Sequence, residues 1–150
     1  MTQIRIQKPL YIFELEFEVR DYECDLQGVV NNAVYLHYLE HTRHKFFKAV
    51  GLDFAALHEE GIDAFVARAN LEYKHPLRSG DRFVCRLWIE KKGRLRYIFH
   101  QDIYRLPDEL LIAKAEITGT TTVNGKLGVC EKVDRAFQRA MANEKIPSNP

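Results

Sequence analysis

The residues best suited to chemistry lie in a short segment that ends in a pair of asparagines. Asp25 stands in Asp25-Leu-Gln-Gly28-Val-Val-Asn31-Asn32, and asparagine is a favoured helix N-cap. A carboxylate just ahead of a helix lies near the positive end of the helix dipole. Asp25 could therefore act as a general base or nucleophile, or it could accept hydrogen bonds from loop amides as a structural cap. The spacing alone leaves both interpretations open.

Other kinds of chemistry find less support in the sequence. Cys24 precedes Asp25, but no histidine is evidently positioned to activate it, so a packing role is favoured over a nucleophilic one. His37 and His41 have the i, i+4 spacing of a metal pair, but no nearby Asp, Glu or Cys completes an obvious ligand set, so we predict no metal and no cofactor. The sequence has no GxGxxG, P-loop, GxSxG or HExxH motif, which removes support for nucleotide-binding and serine-hydrolase functions.

Hydrophobic periodicity predicts the elements that position these residues. From Tyr11 onwards apolar and charged residues alternate, as in a half-buried strand. Helical spacing predicts a long helix from 32 to 50 and a short one from 53 to 60, each followed by glycine. The remaining predictions are strands at 62–73, 81–90, 95–105, 110–123 and 127–133, a short helix at 134–143 and a loose tail at 147–150.

The lengths of the turns between the predicted strands indicate the architecture. Consecutive strands joined by short turns, such as Asn124-Gly125 in type I′ geometry, must be antiparallel. A sheet of about five strands needs a cover for its apolar face, and the long helix is the element able to supply it. We therefore predict a single α+β domain over residues 1–150, with a long helix wrapped by a curled antiparallel sheet.

Composition narrows the range of partners and compartments. The 22 basic and 21 acidic residues give a net charge of +1, which offers no hint of a nucleic-acid surface. The three cysteines form no CxxC pair and leave one unpaired under any single disulfide, which is typical of a reducing compartment. Because no apolar run reaches the length of a membrane span, we expect a cytoplasmic protein without a membrane partner.

Two blocks of the sequence resemble a known family. The segment from Arg20 to Arg43 is similar to the signature of the 4-hydroxybenzoyl-CoA thioesterase branch of the hotdog superfamily, D-x-D-x-x-G-x-V-x-x-x-x-Y-L-x-Y-x-E-x-x-R. Asp25 falls on the second aspartate of that pattern and Gly28 on its glycine. The later segment from Tyr73 to Asp81 resembles the family turn Y-x-x-P-x-x-x-G-D.

The match also contains departures. Glu23 replaces the first aspartate, and Asn32 stands where many bacterial members have histidine. The run Val30-Asn31-Asn32 is instead similar to the H-V-N-N block of acyl-acyl-carrier-protein thioesterases, with Val29 at the histidine position. The carrier, CoA or acyl carrier protein, therefore stays open.

The resemblance implies a hotdog fold, hydrolysis of an acyl-CoA thioester, and active sites at the interface of a homodimer or a dimer of dimers. Asp25 is then the catalytic carboxylate, as general base or nucleophile. The amides at the start of the long helix would polarise the thioester carbonyl. The expected substrate-binding residues are Gly28, Asn32, Ala33, Tyr35, Lys91, Lys92 and Arg94, the last three as phosphate ligands.

Several of these residues have a structural alternative. Tyr35 could simply pack in the core, Asn32 could cap the helix, and the basic run at 91–94 could be solvated surface. Glu40 and Arg43 are predicted to be a surface ion pair without a catalytic role. The competing functions are a hydratase or dehydratase, which needs a histidine partner for its aspartate, and a non-catalytic acyl-CoA or acyl-carrier binding module.

Overall fold

The computed structural model describes residues 11–142 together with 146 and 147. Its elements in chain order are β1 (Phe13–Glu18), a 3-10 turn (Asp21–Glu23), α1 (Val34–Ala49), α2 (Phe54–Glu59), β2 (Ile62–Tyr73), β3 (Arg82–Lys92), β4 (Arg96–Leu106), β5 (Leu111–Val123), β6 (Lys126–Leu127) and α3 (Glu131–Ala142). Of the loose tail predicted at 147–150, residues 148–150 lie outside the described residues.

The strands form one antiparallel sheet in the order β1-β3-β4-β5-β2, with β6 beside β5. Helix α1 packs against one face of this sheet through aromatic side chains. The Phe46 ring lies 5.8 Å from that of Phe13, and the Tyr38 ring lies 4.7 Å from that of Phe83. This arrangement confirms the predicted hotdog architecture of a helix wrapped by a curled sheet.

Local chemistry explains where α2 begins and where β5 ends. Asp53 caps α2, because its carboxylate accepts hydrogen bonds from the amides of Ala55 and Ala56 at 3.0 and 3.2 Å. Asn124 and Gly125 both have positive φ, 52° and 80°, as a type I′ turn requires between β5 and β6. Both features were predicted from the residue types.

The last predicted strand, at 127–133, is wrong. Only Lys126–Leu127 pairs with β5, and α3 begins at Glu131. The buried residues Val133, Ala136, Phe137 and Ala140 follow helical spacing, and all pack into the core. The helical pattern of α3 thus begins inside the segment that was assigned to the strand.

No helix within 11–142 is long and apolar enough to cross a membrane.

Candidate active site

The Asp25 loop is folded back on itself in front of α1. Cys24 and Val30 form an isolated antiparallel bridge, and the Asp25 amide donates to the Val29 carbonyl at 2.8 Å. Gly28 closes the turn with φ +77°, a conformation that favours glycine, and its amide donates to the Asp25 carbonyl. The loop is anchored to the chain before β3, because the Val30 amide donates to the Leu77 carbonyl at 2.8 Å.

The carboxylate of Asp25 is half-buried and uses one of its two oxygens. Its Oδ1 accepts hydrogen bonds from the Gln27 amide at 2.8 Å and, more weakly, from the Val29 amide at 3.4 Å. No described residue bonds to Oδ2. The side chain is therefore a structural cap through one oxygen, while the other is available to water or a ligand.

The start of α1 differs in detail from the predicted start at 32. Helix α1 begins at Val34, and Asn31 occupies the turn before it: its side-chain oxygen accepts from the Ala33 amide at 2.9 Å. The Asn31 carbonyl accepts from the Val34 amide, also at 2.9 Å. Among the described residues the Asn32 amide has no partner, so it is one of the amides at this end that a substrate oxygen could reach.

Two tyrosines connect this end of α1 to the rest of the sheet. Tyr35 is buried, and its hydroxyl accepts a hydrogen bond from the Leu77 amide at 3.2 Å. Tyr73, at the end of β2, donates from its hydroxyl to the Asn32 carbonyl at 2.9 Å. These contacts hold the helix start beside the last residue of the edge strand β2.

A separate apolar cavity of about 290 Å³ lies at the other end of α1. Arg43 and Phe47 of α1 border it, as do Phe65 of β2 and Phe137 of α3. From Val34 to Phe47 the helix rises about 20 Å, so the cavity, which borders α1 from Glu40 to Phe47, lies along the second half of the helix, away from the Asp25 loop at its start.

The basic hairpin between β3 and β4 also lies far from Asp25 within the chain. Strand β3 runs over 11 residues, about 35 Å, from the end near Leu77 to this hairpin. Lys91 is committed to α3, because its Nζ lies 2.7 Å from Asp134 Oδ1. Lys92 and Arg94 are exposed, and Arg94 borders the cavity.

The predicted surface pair of Glu40 and Arg43 is wrong. Arg43 is 8% exposed, and its Nη1 donates to Gln101 Oε1 at 2.9 Å. The described partner of Glu40 is instead His44, at 3.8 Å. Residue 43 lies on the same helical face as Leu39 and Phe46, and that spacing was the signal that could have predicted its burial.

The histidines of α1 lie apart from Asp25. His37 and His41 are exposed and border a second depression beside β1, together with the buried side chain of Tyr38. The Tyr38 hydroxyl makes no hydrogen bond to a described residue. Its pKa is raised mainly by burial and, to a smaller extent, by the nearby Glu23 carboxylate. This placement gives no support to a histidine partner for Asp25.

Comparisons with known proteins point to one family. The model of the Thioesterase-like superfamily matches residues 19–141. The acyl-acyl carrier protein thioesterase ATL3 of Arabidopsis thaliana, a chloroplastic protein, is 38% identical over 128 residues, which cover 77% of this chain and 67% of ATL3. The putative acyl-CoA thioesterase YneP of Bacillus subtilis is 31% identical over 103 residues, covering 69% of this chain and 75% of YneP.

Solved structures agree on the fold. The DHNA-CoA thioesterase of Staphylococcus aureus superposes with a TM-score of 0.80 at 20% identity, over 89% of this chain and 97% of that one. At this level of identity the likeness concerns the fold, including the sheet that wraps α1.

Proposed function

The chain belongs to the Thioesterase-like superfamily, and we propose that it hydrolyses acyl-CoA thioesters to the free acid and CoA. The observation that carries this proposal is the position of Asp25, which lies in the loop before α1, beside the Cys24–Val30 bridge that leads to Asn31 and Asn32, and keeps Oδ2 open. Sequence similarity to the putative acyl-CoA thioesterase YneP supports CoA as the carrier.

The proposed mechanism divides the work between a backbone amide and a side chain. The Asn32 amide, at the positive end of α1, polarises the thioester carbonyl and stabilises the oxyanion that develops on it. A single donor of this kind contributes about 3 kcal/mol in other enzymes, so the carboxylate must contribute as well. As the general base, Asp25 takes a proton from the attacking water, the C–S bond breaks, and the proton passes to the departing CoA thiolate. As the nucleophile, Asp25 displaces CoA to form a mixed anhydride, which water then hydrolyses to the free acid and the Asp25 carboxylate.

We propose that two chains pair through β2. Within 11–142 this strand pairs with β5 on one edge, and its exposed side chains include Phe65 and Val66, which are 56% and 53% exposed. A long edge strand with exposed apolar residues would otherwise invite aggregation. The other edge strand, β1, has only 6 residues and carries the exposed charges of Glu16 and Glu18.

Antiparallel pairing of β2 with its two-fold copy brings the separated features together. If the axis passes near the middle of Ile62–Tyr73, the end beside Asn32 in one chain lies against the start of β2 in the other. The start of β2 borders the apolar cavity. The Asp25 loop of one subunit would then act on a thioester whose acyl group enters the cavity of its partner.

The same pairing gives the exposed cations a role. The β3–β4 hairpin lies beside the apolar cavity. In the paired chains its Lys92 and Arg94 would therefore reach the substrate held at the Asp25 loop of the partner subunit. We propose that these two side chains, and not Lys91, bind the phosphates of CoA. Gly28 shapes the loop, and Tyr35 positions the helix start through Leu77.

Acyl carrier protein is the second candidate carrier. The similarity to ATL3 favours it, since ATL3 is an acyl-acyl carrier protein thioesterase. Either carrier is found in a reducing compartment, which suits three free cysteines, and we propose the cytoplasm as the location.

The deciding experiment measures thiol release by the purified protein from short, long and aromatic acyl-CoA thioesters, and from the same acyl groups on acyl carrier protein. Turnover of a CoA ester supports the proposal, and turnover of the carrier-protein ester alone supports the second candidate. Saturable binding of acyl-CoA without release of thiol would favour a binding module instead.

A further inference from the structure

The starting observation is a buried cation, Arg43, whose neighbouring carboxylate, Glu40, does not form an ion pair with it. Arg43 is 8% exposed, and the one side-chain hydrogen bond that it makes to a described residue is donated to the neutral side chain of Gln101. A guanidinium has five N–H donors, and burial lowers the pKa of this one more than the nearby charge of Glu40 raises it. A desolvated charge with so little compensation is costly for a protein to keep.

Gln101 holds one side of the Arg43 guanidinium by a hydrogen bond. Its side chain is fully buried, and its Nε2 donates to the Leu39 carbonyl at 3.0 Å, so its Oε1 must face Arg43. The unbonded nitrogens of Arg43 are not among the buried, unsatisfied atoms, so they keep some accessible surface. Arg43 borders the 290 Å³ cavity, so a ligand in this cavity is the one placed to meet it.

Of the charged residues that border the cavity, Arg43 is the buried cation. Asp134 is neutralised by Lys91 at 2.7 Å and accepts a hydrogen bond from the Tyr97 hydroxyl. The Glu40 side chain is 57% exposed and turned towards His44. Arg94 is exposed, so it lies at the rim.

Phenylalanine rings form much of the remaining wall. The rings of Phe47 and Phe99 are 5.8 Å apart, and both lie within 6 Å of the Phe137 ring. A ligand that suits this cavity has a hydrocarbon or aromatic body and carries an oxygen anion where it meets the guanidinium.

We propose that Arg43 selects acyl groups that carry a carboxylate remote from the thioester. The proposal rests on the proposed function and names the substrate class of that site. The hydrocarbon part of the acyl group lies among the phenylalanine rings, and its terminal carboxylate forms a charge-assisted pair with the free face of Arg43. An unsubstituted acyl group of the same length fills the same space but leaves the guanidinium without its anion.

The test compares two CoA thioesters of equal chain length, hexanoyl-CoA and the mono-CoA ester of hexanedioic acid. The wild type should favour the hexanedioic ester by about tenfold or more in kcat/KM, the effect expected of one charge-assisted hydrogen bond. Arg43→Gln should abolish that preference while retaining most of its activity on hexanoyl-CoA. Arg43→Lys should keep part of the preference, and Arg135→Gln, which removes an exposed arginine of α3, should keep all of it.

Two results would overturn the proposal: a wild type that favours hexanoyl-CoA, or an Arg43→Gln variant that loses activity on both esters equally. A binding measurement separates failure of the Arg43 proposal from failure of the proposed thioesterase function. Hexanoate should bind the wild type more tightly than hexanol does, and Arg43→Gln should bind the two alike. If no ester is hydrolysed but this difference is found, the anion site stands and the proposed function fails; equal binding of both compounds by the wild type refutes the site.

Discussion

Replacing Phe137 by alanine tests whether α3 is an integral wall of the cavity. Phe137 is 4% exposed, and its ring lies 4.9 to 5.9 Å from those of Phe46, Phe47, Tyr97 and Phe99. A buried phenylalanine truncated to alanine typically costs about 3–5 kcal/mol of unfolding free energy. Because one side of Phe137 already faces the cavity, we expect the lower end of that range, about 3 kcal/mol.

Urea denaturation of the wild type and Phe137→Ala measures this loss directly, with Lys132→Ala as a matched exposed substitution on the same helix. The control should stay within about 0.5 kcal/mol of the wild type. Removing the ring also enlarges the cavity, so the acyl length with the highest kcat/KM should increase. A loss of under about 1 kcal/mol, with an unchanged preference for acyl length, would refute the packing argument.

Three further perturbations have defined outcomes. Phe65→Arg places a charge on the β2 edge, so light scattering should find a monomer with at least about tenfold lower activity; a persistent active dimer would contradict the pairing. Lys91 holds the pKa of Asp134 below its usual value, so Asp134→Asn should lower the free energy of unfolding at neutral pH. The difference in unfolding free energy between the wild type and the variant should vanish as pH falls through that lowered pKa. A difference that does not depend on pH would contradict this prediction. Lys92→Ala combined with Arg94→Ala should raise the KM for acyl-CoA and reduce its dependence on salt, whereas an unchanged KM would exclude phosphate contact.

The sequence predicted the features that depend on local chemistry. Alternation of apolar and charged residues located β1, and Ile62–Tyr73 was assigned to a strand with the bounds that the structure has. Asp53 and the pair Asn124-Gly125 were recognised because their side chains and backbone preferences act within a few residues. The position of Asp25 before α1 was also predicted, since it follows from chain order alone.

Features that depend on tertiary contacts escaped prediction. Arg43 was assigned to the surface by residue type, but it is buried and donates a hydrogen bond to Gln101 on β4, which is distant in sequence. Val129 and Cys130 follow Leu127 in an apolar run that resembles a strand. The residues alone do not show that this run leads into α3, because the helix is identified by its packing against the sheet. The distance between the Asp25 loop and the cavity could not be inferred at all, because it depends on how α1 lies along the sheet.

Asp25→Asn tests whether the Asp25 carboxylate carries the hydrolysis. The amide oxygen of asparagine can still accept from the Gln27 amide, so the turn should be kept while the basic oxygen is lost. With thiol release from the best acyl-CoA ester as the assay, we expect kcat to fall at least about a hundredfold. Asp108 is an exposed aspartate on the β4–β5 turn, and Asp108→Asn should match the wild type. A folded, dimeric Asp25→Asn protein with wild-type turnover would show that Asp25 is not the catalytic group.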